Sequence, residues 1–228
     1  MTHPPATTTL RPARDTVPVA LSIAPFGLVI GATGTQLGLD SVPDMASAAT
    51  VFAGAAHFAP LTMVAAGAGA LAALGTAVLI NARLLLYSAA LEPRFRDQPR
   101  WFRWLGPALL IDQTYVMVLG RDDLDEPARF RRYWLVAGGF LLAAWVAFVG
   151  IGAVLGPLLP AGSPLDAAGV VVLAGMLGPR LAAWRPAVVA LTALFVAIAA
   201  APLHGGVGPV AGIVAGIATG ALLDRRPS

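Results

Sequence analysis

The sequence predicts an all-α, polytopic helical membrane protein with seven or eight apolar segments, some of them broken. Three observations carry that prediction. Of the 228 residues, 57% are hydrophobic and only 12% are charged, about half of the roughly 25% charge of a soluble domain. The uncharged residues come in blocks, and neither Trp134 to Leu165 nor Pro186 to Leu223 contains Asp, Glu, Lys or Arg. A hydrocarbon core about 30 Å thick takes roughly 20 apolar residues per crossing helix, so the first block holds one span and the second holds two short ones. Finally, most Arg residues fall in short stretches between apolar blocks, which is where topology signals lie.

The same composition excludes other classes. All fifteen basic residues are Arg and there is no cysteine, so disulfides and thiolate metal sites are excluded. The net charge of +3 is small, and no basic stripe of the kind that binds nucleic acid is present. There is no phosphate-binding Gly-Lys loop, paired-His metal helix or Gly-x-Ser-x-Gly elbow. The chain is therefore not expected to power itself with ATP, and no cofactor or metal is predicted.

Residues 1–15 are polar and hold two Arg, which predicts a disordered cytoplasmic N-terminus rather than a cleaved signal peptide. A transmembrane domain follows over 16–223, and 224–228 form a cytoplasmic tail. The first span is placed at about Val17 to Leu39 and contains Pro18, Pro25 and several glycines, which permit kinks and close helix approach. The second segment, about Met45 to Gly69, is expected to break around His57, which Gly54 and Pro60 flank. The third runs from about Leu71 to Leu91, and a loop with four Arg, Trp101, Phe102 and Trp104 follows it, a mixture that suits a membrane interface. A short fourth segment, about Leu105 to Gly120, contains Asp112 and Gln113. The remaining segments are placed at about Tyr133 to Leu155, Leu165 to Gly178, Pro186 to Pro202 and Val207 to Leu223. Gly212, Gly216 and Gly220 line one face of the last, ready to dock on a helix of this chain or of a partner.

Charge counting leaves the number of crossings open. Eight crossings put the Arg-bearing stretches 121–132, 179–185 and 224–228 in the cytoplasm but leave 92–104 outside. If the second and fourth segments are both re-entrant, every such stretch falls inside.

Polar side chains inside apolar segments are costly unless paired or hydrated, and so are the places to look for function. Asp112 reads either as a proton or ammonium site or as the ion-pair partner of Arg83. Arg83 and Tyr87 share a helix face at i, i+4. Arg83 can hold Asp112, hold a carboxylate, or snorkel to the interface. Tyr87 alone reads as an interface anchor, and Asn81 as a helix-packing hydrogen bonder. His57 could titrate near neutrality or simply pack.

Four stretches then appear in order: Pro25-Phe-Gly27, Phe52-Ala-Gly-Ala-Ala-His-Phe58, Asn81-Ala-Arg-Leu-Leu-Leu-Tyr87 and Asp112-Gln113. With them the chain resembles, over about residues 16–223, the large subunit of AzlC/BrnF-type branched-chain amino acid exporters. The resemblance implies a multi-pass protein of the bacterial inner membrane and a secondary transporter driven by an ion gradient. It also implies export of leucine, isoleucine and valine, and a small AzlD/BrnE-type membrane subunit as partner. His57, Asn81, Arg83, Tyr87, Asp112 and Gln113 become the expected substrate or proton pathway, with Gly54 and Pro60 at a helix break. Three positions depart from the expected pattern: His57 where Gln is expected, Leu84 where His is common, and Gln113 where an acid is expected. A permease for another small solute, a membrane-embedded enzyme and a non-transporting assembly subunit stay open as alternatives.

Overall fold

A computed structural model of the chain describes residues 12–38, 41–50, 52–65, 67–160, 181–202 and 207–224, with four isolated positions between 168 and 175. Most of the sixth predicted segment, Asp166 included, the residues before Pro12, Arg180, His204 and residues 225–228 lie outside the described residues. Among the described residues the chain is helical, with turns and no strand. It is the all-α protein that the composition predicts, with three helices long and apolar enough to cross a membrane: Pro12–Gln36, Ala70–Arg96 and Pro127–Leu158.

Helix α1 (Pro12–Gln36) begins five residues before the predicted start. Pro12 stands in its first turn, where a missing N–H costs nothing, and Asp15 lies at the positive end of the helix dipole. Residues 12–15, expected in the unstructured N-terminal stretch, are thus the first turn of a helix. Helix α1 packs along most of its length on the long helix α8 (Pro127–Leu155). The two approach backbone to backbone, because glycines face each other's neighbours. A Cβ on Gly31 would stand 1.9 Å from the Val149 carbonyl oxygen, and one on Gly152 would stand 2.1 Å from that of Leu28. Within lipid, small residues at such a seam permit the close dispersion contact that holds helices together.

The second segment is two helices, α2 (Ser41–Thr50) and α3 (Gly54–Ala65). The interruption predicted between Gly54 and Pro60 lies ahead of Gly54 instead, and Pro60 sits inside α3. A proline removes one ladder bond, but the helix carries on through it. The break falls where Gly54 is wedged against aromatic rings: a Cβ there would meet Phe26 Cε1 at 2.5 Å and Trp145 Cη2 at 3.2 Å. Helix α2 packs on α8, while α3 packs on α1 and on the next helix, α4 (Ala70–Asn81).

Helices α4 (Ala70–Asn81) and α5 (Arg83–Arg96) form one 27-residue span with a single-residue hitch at Ala82. Ala82 is itself in helical conformation, and its N–H bonds Leu79 C=O in a tightened turn of 3.2 Å. Leu71, Leu74, Val78, Leu85 and Leu86 along this span are exposed, as a lipid-facing helix requires. The fourth segment is not one helix. A short helix α6 (Arg100–Leu105) runs into a 3₁₀ turn over Gly106–Leu109, then an extended pair, then α7 (Asp112–Val118). At 1.5 Å per residue α7 is about 10 Å long, a third of the hydrocarbon thickness. Helix α8 starts six residues earlier than predicted, with Pro127 at its first position.

Helices α9 (Trp184–Ala200) and α10 (Val207–Asp224) pack on each other, and α10 also touches α4. The glycine face of α10 docks inside this chain. A Cβ on Gly212 would lie 2.7 Å from Ala193 carbonyl oxygen, and Gly216 faces the Ala193 and Val189 side chains.

A polar network gathers three helix ends in one layer. Arg121 grips Asp123 through two hydrogen bonds, Nε to Oδ1 at 2.8 Å and Nη2 to Oδ2 at 2.6 Å. Its Nη1 reaches Asp15 on α1 at 3.3 Å, and Tyr133 on α8 donates to the same Asp15 oxygen at 3.3 Å. Arg94, near the end of α5, donates to Arg121 carbonyl oxygen at 2.9 Å and to Asp125 at 3.1 Å. Buried Gln98 bonds Pro127 carbonyl oxygen at 3.0 Å and accepts from Arg131 at 2.9 Å. The start of α1, the end of α5 and the start of α8 therefore lie at the same end of the molecule.

Candidate functional site

Asp112 opens α7, after an extended Ile111 (φ −137°, ψ 172°) that turns the chain out of the 3₁₀ segment. The turn is fixed by Thr114, whose buried hydroxyl accepts the Ile111 N–H at 2.9 Å and has the Leu109 and Ile111 carbonyls within reach. Arg83 opens α5 at the hitch, and Tyr87 follows one turn later on the same face. The two helix starts are brought face to face. Arg83 Nη2 lies 2.8 Å from Asp112 Oδ2, and Tyr87 donates its hydroxyl to Asp112 Oδ1 at 3.0 Å. Both carboxylate oxygens are engaged by α5. The Tyr87 ring stacks on Tyr115 of α7 with centroids 4.2 Å apart and planes 8° from parallel. Dispersion and two polar contacts thus join α5 to α7 at one place.

The Arg83 and Asp112 side chains are 36% and 24% exposed. The pair is partly exposed rather than sealed within the described residues. Hydrogen-bonding capacity is left over beside it: among the described residues, Arg83 Nε and Asn81 Oδ1 are shielded and have no partner. One is a donor and the other an acceptor. A polar ligand or bound water that satisfies both is the usual resolution for such groups.

His57 belongs to a different contact. It is 7% exposed on α3, and its Nε2 lies 3.0 Å from Ser47 Oγ on α2, so it ties the two halves of the broken segment. Next to it, Phe58 and Phe26 rings lie 5.9 Å apart, and Phe26 and Trp145 6.2 Å apart, around Gly54. The first helical bond of α3 runs from His57 N–H to Ala53 C=O at 2.9 Å, so the N–H groups of Gly54, Ala55 and Ala56 lie ahead of the intrahelical ladder. The buried Trp145 indole N–H has no acceptor among the described residues. Gln113 follows Asp112 on α7 and takes no part in the Arg83–Asp112–Tyr87 contacts.

The structure therefore brings together Arg83, Tyr87 and Asp112, while His57 is seen to bond Ser47 instead. Sequence reasoning missed Tyr115, Ser47 and Trp145. Tyr115 was findable, since it stands three residues after Asp112 and hence on the same helical side. Ser47 and Trp145 left no local signal.

The AzlC protein family model matches residues 18–159 of this chain. The chain belongs to the AzlC family. The matched stretch runs from Pro18 within α1 through α8, hence over the whole Arg83–Tyr87–Asp112 arrangement and the broken second segment. Helices α9 and α10 lie beyond it. The chain is also similar to the inner membrane protein YgaZ of Escherichia coli (strain K12), with 26% identity over 154 residues. That alignment covers 67% of this chain and 61% of YgaZ, so the AzlC-family chain spans about three-fifths of that curated relative. No solved structure matches the chain. Family membership, the inner-membrane relative and the apolar helices together support a membrane protein of transporter type.

Proposed function

We propose that this AzlC-family chain is a secondary transporter subunit that exports leucine, isoleucine and valine across the bacterial inner membrane. It would work with a small membrane subunit of the AzlD/BrnE type, use no cofactor, and catalyse no covalent reaction. The single observation that carries the reading is the Arg83–Asp112 ion pair at 2.8 Å, set between the hitch of a long apolar span and the start of a helix too short to cross.

The pair is complementary to a zwitterion. An amino acid carries one carboxylate and one ammonium, so it can replace the internal partners one for one: its carboxylate on Arg83 and its ammonium on Asp112. Such an exchange leaves no charge unpaired within the membrane, which is the expensive outcome. Tyr87, Asn81 and the Arg83 Nε–H supply further hydrogen bonds around the exchanged groups. The donor-rich start of α3 offers a second carboxylate position, in the manner of transporters that bind substrate at half-helix N-termini.

The topology that fits this reading has three full crossings before residue 160. If α1, the α4–α5 span and α8 each cross once, the shared polar layer at their ends requires α2–α3 and the stretch from α6 to α7 to enter and leave on one side. Irregular backbone at membrane depth is tolerated where it lines a cavity, and both interruptions carry the candidate residues. The layer holds Arg94, Arg121 and Arg131, which favours the cytoplasmic side under the positive-inside rule.

The test is leucine efflux against pH for Asp112→Asn in vesicles that also hold the small subunit. Loss of efflux, or loss of its pH dependence, is expected. Unchanged and still pH-dependent efflux removes Asp112 from the mechanism.

A further inference from the structure

We propose that the cleft between the C-terminal half of α5 and the α6–3₁₀ segment holds the headgroup of an anionic phospholipid. Its inner wall is apolar, formed by Leu91, Phe95, Pro107 and Leu110, and its mouth carries Arg96 and Arg103. The two arginines are not equivalent. Arg96 is held by Glu92, with Nη2 to Oε2 at 2.7 Å and Nε to Oε1 at 3.0 Å. Arg103 forms no salt bridge among the described residues, and neither does Arg100 one turn earlier on α6. One carboxylate, Glu92, cannot neutralise two guanidinium groups. The lining itself sets two guanidinium groups, Arg96 and Arg103, against the single carboxylate of Glu92, which leaves one positive charge over. A phosphodiester carries one negative charge and matches it.

The surroundings select a lipid over a free anion. Helix α6 exposes Trp101 by 50%, Trp104 by 83% and Leu105 by 66%. Trp side chains beside Arg are the composition of a membrane–water interface. Toward the middle of the span, one turn before Ser88, α5 exposes Leu85 by 74%, a surface for an acyl chain. A soluble phosphate would use the arginines and leave these faces idle; a phospholipid uses both. The guanidinium forks favour phosphate geometry. Arg94 is not available to the ligand, because it is spent on Arg121 carbonyl oxygen and Asp125.

The experiment titrates purified full-length protein in neutral detergent with phosphatidylglycerol, phosphatidylcholine or inorganic phosphate, and reads bound lipid by native mass spectrometry and the melting temperature. Phosphatidylglycerol is expected to bind and to raise the melting temperature, while phosphatidylcholine binds at least tenfold more weakly and phosphate does neither. Arg103→Gln combined with Arg100→Gln is expected to lower phosphatidylglycerol affinity at least tenfold. Both side chains are exposed, so the fold tolerates the change, and an unaltered melting temperature without lipid verifies that. Arg129→Gln, an exposed arginine at the start of α8 paired with Glu126, is expected to leave affinity unchanged. Equal binding of the two lipids, full competition by phosphate, or unchanged affinity in the Arg100/Arg103 variant each overturns the proposal.

Discussion

Gly31 of α1 and Val149 of α8 meet with no room for a side chain between them: a Cβ on Gly31 would lie 1.9 Å from the Val149 carbonyl oxygen. The obstacle is backbone, which cannot swing aside as a side-chain tip can. Gly31→Ala is therefore expected to push α1 from α8 and to destabilise by about 1–3 kcal/mol, the usual cost of overpacking. Gly139→Ala, also on α8 but with nothing within 4 Å, is expected to be neutral or to stabilise by up to about 1 kcal/mol through helix propensity. Thermal unfolding in detergent separates the two. Equal melting temperatures for both variants would count against the close seam.

Asp112 and Arg83 are predicted to be coupled in stability and in transport. Asp112→Asn and Arg83→Gln each strand a charge, while the double variant strands none. Their coupling energy should fall within the range of about 0.5–3 kcal/mol seen for contacting residues, near its lower end because both side chains are partly exposed. A double-mutant cycle on the melting temperature measures it, and strict additivity would mean that the 2.8 Å contact contributes nothing.

Tyr87→Phe removes the hydroxyl that bonds Asp112 but keeps the ring stacked on Tyr115. Stability is expected to fall by about 1 kcal/mol. On the zwitterion-exchange mechanism the apparent affinity for leucine falls as well, with the maximal rate less affected. Tyr115→Leu should instead lose the stack, a matter of about 0.5–1.5 kcal/mol, and leave the Asp112 hydrogen bond in place. Concentration-dependent efflux distinguishes the two variants.

Asp123 supplies a pH dependence of stability. The two hydrogen bonds from Arg121 hold its carboxyl below the usual range, against a smaller opposing effect of partial burial. A carboxyl whose folded pKa is depressed contributes stability that is fully present above the unfolded value of about 3.9 and is lost as pH falls through the lower folded value. The melting-temperature gap between wild type and Asp123→Asn should thus be open at pH 6 and close below about pH 4. A gap that stays constant down to pH 3 would show that the Arg121 clamp does not stabilise the fold.

Because the chain contains no cysteine, single cysteines report topology directly. Asp97→Cys and Asp122→Cys are expected to react with a membrane-impermeant maleimide from the same side, the cytoplasm, and Leu159→Cys from the opposite side. All three positions are exposed. Labelling of residues 97 and 122 from different sides would defeat the re-entrant arrangement.

The fold class was legible because solvation alone dictates it: a chain with mean hydropathy +0.77 and long uncharged blocks can satisfy its backbone in lipid only as helices. Helix starts were less legible. Both Pro12 and Pro127 precede charged residues that discourage a membrane reading, yet each is a sound first-turn residue, so α1 and α8 extend past their apolar cores. Pro60 misled in the opposite direction, since a proline inside a helix surrounded by neighbours is tolerated, and the break settled where Gly54 meets Phe26 and Trp145. At the site, Arg83 and Tyr87 share a face by helical periodicity, but no local pattern says that α7 turns Asp112 toward them. That depends on Thr114 closing the turn after the 3₁₀ segment, a tertiary outcome. His57 found Ser47 for the same kind of reason, across a break between two helices that periodicity does not encode.

The glycine face of α10 finds its groove on α9, the helix made immediately before it. Such a pair can leave the translocon as a ready-folded hairpin, zipped along its own seam while the ribosome completes the chain, and then settle sideways onto α4. Biogenesis of this protein would in that case proceed in two instalments, an early body from α1 to α8 and a late pair that, among the described residues, meets it chiefly along α4.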